Sequence, residues 1–358
     1  MDTTRKNNTK RLVLIIAATA LFMWALLYAP TPFVIYEPGL AALTKPMVSI
    51  GSDEDKQGSS NETASAEGAF LLTTIQLSDT NLWRAIASSW DSNKDIYNKK
   101  DIFRGYSEQE YMDRSTVIML GSQNNAIEAA YRYMKVAYQH NPESVAVSDS
   151  IGSNNELQAG DTIVSVEDTE TIRSLEDMVR ALSHKQTGDS AAIVVERNGA
   201  PIEIVVTLGE FEGILNKEQL KSAFAGIVWS ELQSLQPDDS SLRLSINAGV
   251  IGGPSAGLMF ALQSIDLLNE KELTEGMRVA GTGTIEPDGT VGAIGGIAYK
   301  IVAADAAGAQ LFLAPTANYK EAAKKAAAIG SKMRVLSVAT LNEAVAAVAE
   351  QATSNTSK

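Results

Sequence analysis

Two residues in this chain have the types, neighbours and spacing for acyl-transfer chemistry. Ser255 stands behind a Gly252-Gly253-Pro254 turn and ahead of Ala256-Gly257, at the mouth of a predicted helix. Lys300 follows 45 residues later, behind a second glycine pair, Gly295-Gly296. A hydroxyl is a poor nucleophile until a base takes its proton and donors stabilise the oxyanion that forms. The glycines keep the space around the Ser255 hydroxyl small, and the unpaired N–H groups that open a helix suit an oxyanion. Ser255 in this setting equally suits a plain helix cap, with the glycines serving packing.

On a helix starting near Gly296, Lys300 lies on or beside the stripe formed by Ile297, Ile301 and Ala304. Burial there disfavours the ammonium form, and a lysine working as a base near neutrality must drop by about 3 pKa units. The bland alternative is a lysine that runs its stem along the helix edge and keeps its amine in water. The chain has only two histidines, His140 and His184, neither close to the glycine turns in sequence. A Ser-His-Asp triad is therefore a weak alternative, whereas a serine–lysine dyad needs no histidine. Multi-histidine metal sites are excluded, and we expect neither a metal nor a cofactor. The absence of cysteine removes disulfides and thiolate nucleophiles together. A net charge of −13 argues against nucleic acid as a partner, because phosphate binding needs a basic face.

The elements around this pair divide into segments. Residues 1–11 form a basic tail, with Arg5, Lys6, Lys10 and Arg11 against Asp2. Residues 12–36 read as a transmembrane anchor that keeps the basic tail in the cytoplasm and leaves the bulk of the protein outside the membrane. A cleaved signal peptide is the alternative, opposed by the large Leu27 and by Pro30 around the expected cut. Residues 37–141 form a strand-and-helix region with strands over 47–50 and 69–77 and a flexible loop over 51–68. Its helix over 122–138 has Ser122 as the expected cap. Residues 142–209 form a small module: a strand over 144–148, the Leu157-Gln158-Ala159-Gly160-Asp161 turn, a strand over 162–166 and a helix capped by Ser174. A hairpin closed by Asn198-Gly199 follows. This order resembles a PDZ domain, which implies a groove for an extended peptide between a strand edge and the helix at 174–182. No carboxylate-binding loop is evident ahead of Val145. Residues 210–350 alternate strands with helices, and 351–358 read as a flexible tail.

The motifs of this last region belong together. Gly252-Gly253-Pro254-Ser255-Ala256-Gly257, Gly281-Thr282-Gly283-Thr284-Ile285 and Gly292-Ala293-Ile294-Gly295-Gly296-Ile297-Ala298-Tyr299-Lys300 are followed by Ala303-Ala304, Ala307-Gly308 and Ala314-Pro315. In this order they resemble the proteolytic domain of the Lon family over roughly 240–350. With the anchor and the PDZ-like module, nearly the whole chain resembles the membrane-anchored PDZ-containing Lon-like peptidases of Gram-positive bacteria. The resemblance implies an α+β chain with Ser255 as nucleophile, Lys300 as general base, Thr282 orienting the amine and Gly253 supporting the turn. It also raises the prospect of a homo-oligomeric ring. One departure is Gly252, where ATP-dependent Lon enzymes usually carry an acid.

The sequence contains no Gly-x-x-x-x-Gly-Lys-Ser/Thr motif. The expected activity is accordingly ATP-independent cleavage of peptides or unfolded protein segments, assisted by the PDZ module. Two other classes remain: a non-catalytic PDZ-based surface adaptor, and a nucleotide loop at Gly249 to Gly253, which lacks a phosphate-binding lysine.

Overall fold

The computed structural model describes residues 2–51, 68–150, 152–153, 155–269 and 271–356. The loop expected over 51–68 lies, apart from its ends, outside the described residues. Helix α1 (Asp2–Tyr28) opens the chain, and its Lys10–Tyr28 part, with mean hydropathy 2.0, is long and apolar enough to cross a membrane.

Strands β1 (Phe33–Leu43), β2 (Val48–Ile50) and β3 (Ala69–Asp79) follow, then α2 (Leu82–Ser88), β4 (Asp95–Asn98), α3 (Lys99–Phe103) and the long α4 (Glu108–Met134). Next come β5 (Tyr138–Asp149), β6 (Thr162–Val166), α5 (Leu175–Ala181), β7 (Ser190–Arg197), β8 (Ala200–Thr207), α6 (Leu220–Ala223) and β9 (Val228–Pro237). The last third holds β10 (Leu244–Ile246), α7 (Gly257–Leu268), β11 (Arg278–Gly281), β12 (Thr284–Ile285) and β13 (Val291–Gly292). It ends with α8 (Ile297–Ala306), β14 (Leu311–Pro315), α9 (Thr316–Ala328), β15 (Arg334–Val338) and α10 (Leu341–Thr356).

These elements form two bodies, and the smaller is inserted into the larger. A six-stranded sheet has the order β15-β14-β11-β3-β1-β4, parallel from β15 to β3 and antiparallel from β3 to β4. Its central strands are apolar at successive positions because both faces are covered. On β3, Phe70 and Leu72 pack toward α7, while Leu71 packs toward α8 and α9. The region at 37–141 thus contributes β1, β3 and β4 to the same sheet as the last third of the chain. Val34 and Ile35, expected at the end of the anchor, are buried in that sheet, so the apolar helix stops ahead of β1.

The second body is a five-stranded sheet, β8-β7-β6-β5-β9, with a core of Val145, Val147, Met178, Leu182, Ile193 and Phe224. Asn198 and Gly199 close its hairpin with φ of 53° and 75°, as the dipeptide predicts. Strand β9, grouped on sequence grounds with the following region, pairs along β5 from Asp149↔Val228 to Tyr138↔Pro237. The insertion therefore leaves and re-enters the larger body at adjacent points. Tyr106 Oη donates to Asp149 Oδ1 at 2.5 Å, and Arg114 pairs with Asp149 Oδ2 at 3.1 Å, fixing the insertion to the start of α4.

Two further expectations change. Helix α4 starts at a capping box formed by Ser107 and Glu110, not at Ser122, whose side chain turns inward. Helix α10 runs through Thr356 with Ala352 buried, so the expected tail is largely helical.

Candidate active site

Ser255 lies in a single 3-10 turn, Pro254–Ala256, that runs directly into α7. Gly253 enters that turn at φ 83° and ψ 159°, a conformation costly for any residue with a side chain. Its N–H donates to Ser115 O at 3.0 Å, and Ser122 Oγ donates to Pro254 O at 3.0 Å. Both acceptor and donor sit on α4, so one helix holds the turn from outside. The approach is close. A Cβ at Gly257 would fall 2.8 Å from both Ser122 Oγ and Ile285 Cγ2, and one at Gly252 would fall 2.9 Å from Ser115 Cβ. Gly253 thus shapes the turn, and its amide is already engaged.

Helix α8 begins after Gly296, whose φ of 65° turns the chain, and presents Ile297, Ile301 and Ala304 to the core. Lys300 lies within this buried face at 2% exposure. Its Nζ is 2.8 Å from Ser255 Oγ, 2.8 Å from Thr73 O and 3.2 Å from Thr282 Oγ1. Burial alone pulls the amine down from 10.5 to about 7.

The hydrogen-bond directions constrain the amine further. Thr73 O can only accept. Thr282 Oγ1 donates to Ser255 O at 2.9 Å and so turns a lone pair toward Nζ. A neutral Lys300 has two N–H bonds, and these two acceptors take both. Its remaining lone pair is then directed at Ser255 Oγ, the geometry of a base beside its nucleophile.

The structure therefore brings together Ser255, Lys300 and Thr282, with Gly253 at the entrance to the turn. Thr73 is the participant that sequence reasoning missed. It acts through a backbone carbonyl, for which a sequence carries no signal, and from a strand 227 residues ahead of Lys300. His140 belongs elsewhere, on the inserted sheet beside Gln233 of β9 and facing Glu128 of α4. Among the described residues no acidic or histidine cluster has metal-binding geometry.

A second candidate site lies on the insertion. Strand β9 is the outer strand of its sheet, and α5 crosses near it, with Leu175 N–H donating to Glu231 Oε2 at 3.1 Å. The outer strand beside α5 is the last of the module, not the one around Val145. The turn ahead of it has φ of 55° at Ala225 and 96° at Gly226. The N–H groups of Ala225, Gly226 and Ile227 all donate within the turn, to Ser222, Lys221 and Phe224 carbonyls.

Comparison with known proteins matches a domain model to each of the two bodies. The family model for the Lon protease (S16) C-terminal proteolytic domain matches residues 177–351, and that for the PDZ domain matches residues 134–208. Residues claimed by both, 177–208, form α5, β7 and β8 of the inserted sheet. No curated protein matches the chain.

Proposed function

From the Lon proteolytic domain and the PDZ domain that this chain carries, we infer a serine endopeptidase working through a Ser255–Lys300 dyad without ATP. The observation that carries this reading is the buried amine, 2.8 Å from Ser255 Oγ and held by Thr73 O and Thr282 Oγ1.

Lys300 takes the Oγ proton as Ser255 attacks the scissile carbonyl carbon. The carbonyl electrons move onto oxygen, and we assign the Ser255 N–H, at the open start of its turn, as a donor to that oxyanion. Lys300 then returns the proton to the departing amine as the C–N bond breaks, leaving an ester on Ser255. Water, deprotonated by the same amine, hydrolyses the ester. Thr282 and Thr73 hold the amine in one orientation throughout.

The groove beside β9 assists by accepting an extended segment as an added strand. Because the amides of the preceding turn are engaged, we assign it internal segments in place of free C-termini. Helix α1 anchors the protein, with the basic residues at its start in the cytoplasm and the two folded bodies outside the membrane. An enzyme without an ATP-driven unfolding motor is suited to unstructured peptides and exposed flexible segments.

The test incubates the full chain in detergent or liposomes with a library of unstructured peptides and no nucleotide, read by mass spectrometry. Cleavage by the parent, and by neither Ser255→Ala nor Lys300→Ala, is the expected result. Equal cleavage by all three forms would refute the dyad. Peptide binding with no cleavage by any form would favour a non-catalytic adaptor.

A further inference from the structure

The end of the large sheet next to α1 carries an apolar surface that the peptidase chemistry does not use. Trp83, Ile86 and Trp90 recur at i, i+3 and i+7 along α2 and the turn after it, which places them on one side. They are 51%, 44% and 79% exposed, and the adjoining Leu82 is 40% exposed. The side of α2 turned toward the protein is built from small residues, Ala85 and Ser88. Its large apolar groups thus point away from the core, the reverse of an ordinary surface helix.

The surface is fixed at the point where the apolar helix ends. Helix α2 packs against α1, Asn81 Nδ2 donates to Leu27 O at 2.7 Å, and Thr31 Oγ1 donates to Thr80 O at 2.7 Å. The aromatic surface is therefore continuous with the apolar surface of α1.

We propose that Trp83, Ile86 and Trp90 seat the protein in the headgroup–acyl boundary of the lipid bilayer that α1 crosses. The proposal rests on the reading of α1 as an anchor. Tryptophan suits that boundary, where its ring meets lipid and its N–H meets water. An element lying in the interface buries its apolar side by about 5–10 Å, enough for the two indoles and Ile86. The seat makes the anchor a rigid mount. Asp79, opposite Val34 at the membrane end of the sheet, is six residues along β3 from Thr73. At roughly 3.3 Å per residue, the carbonyl that holds Lys300 stands about 20 Å along the strand from that end. The substrates within reach are segments standing close to the same bilayer.

The chain's four tryptophans, Trp24, Trp83, Trp90 and Trp229, provide the test. Trp→Phe substitutions at three of the four leave one reporter in each full-length variant, and retained peptide cleavage verifies its fold. Each is reconstituted in phosphatidylcholine–phosphatidylglycerol liposomes containing lipid brominated either high or low on the acyl chain. The expected result is strongest quenching of Trp24 by the deep bromine, stronger quenching of Trp83 and Trp90 by the shallow bromine, and none of Trp229. Quenched Trp24 with unquenched Trp83 and Trp90 would overturn the proposal while leaving the anchor intact. Blue-shifted but unquenched emission from Trp83 and Trp90 would instead assign the surface to a protein partner such as a second copy. Unquenched Trp24 would remove the anchor reading itself, and the seat with it.

Discussion

Because burial, and no neighbouring charge, brings the Lys300 amine to about 7, two pH dependences follow with defined signs. Only the neutral amine accepts the Ser255 proton, so kcat/KM for peptide cleavage rises about tenfold per pH unit below pH 7 and levels off above it. A profile flat from pH 5.5 to 8.5 would rule out this base. Stability moves the same way. The folded pKa is about 7 and the free value is 10.5, so between these the unfolded chain binds more protons. The cost of burying Lys300 is then full below pH 7 and fades as pH rises toward 10.5. Lys300→Met therefore abolishes cleavage yet raises unfolding free energy at pH 7 by about 1–3 kcal/mol, after allowance for the lost hydrogen bond to Thr73. Chemical denaturation checks it. Thr282→Val lowers kcat about 10- to 100-fold with little change in KM, and Thr282→Ser restores most of the loss, as expected of a positioning hydroxyl. Ser255 and Lys300 stood out in sequence because each follows a glycine pair. Thr73 did not, since any residue at that point of β3 offers the same carbonyl.

At the scale of elements, α4 links the parts of the site. Its start holds the inserted sheet through Tyr106 and Arg114, and its middle holds the Ser255 turn through Ser115 and Ser122. Gly257→Ala inserts a methyl against Ile285 and Ser122, 2.8 Å from each. It should cost about 1–3 kcal/mol in thermal or denaturant unfolding and lower kcat as the turn shifts. Ser107→Ala removes a capping box and should cost about 0.5–2 kcal/mol while leaving kcat unchanged. The sequence reading placed half of the stripe of α4 correctly, with Ala126 and Ala130 buried. Tyr133 is exposed, and Ala137 lies beyond the helix, which runs from Glu108 to Met134 and not from Ser122 to Tyr138. Ser122 has the composition of a cap. Its partner is a carbonyl 132 residues away, which no local pattern reveals. The β7–β8 hairpin and the start of α5 were read closely because Asn198-Gly199 and Ser174 are local signals, whereas β5 begins at Tyr138, ahead of the expected 144, and its pairing with β9 has no local signal.

Taken whole, the molecule is one sheet interrupted by another. The strand-rich region at 37–141 had no evident home in sequence, since a parallel neighbour leaves no turn signature. Its β3 pairs with β11, and Thr73 Oγ1 donates to Gly281 O across 208 residues. This arrangement has a consequence for how the chain is made. Contacts so distant are slow to form, because the entropy of closing the loop precedes any gain. The insertion shortens that search once folded, since Tyr138 and Pro237 at its two ends are already paired. We therefore expect the inserted sheet to form first and the larger sheet last, when β11 and α8 arrive. On the dyad proposed above, Ser255 has no base until α8 docks. A ribosome-bound or truncated chain ending ahead of Lys300 is then expected to lack activity, so that competence to cut would coincide with the final step of folding.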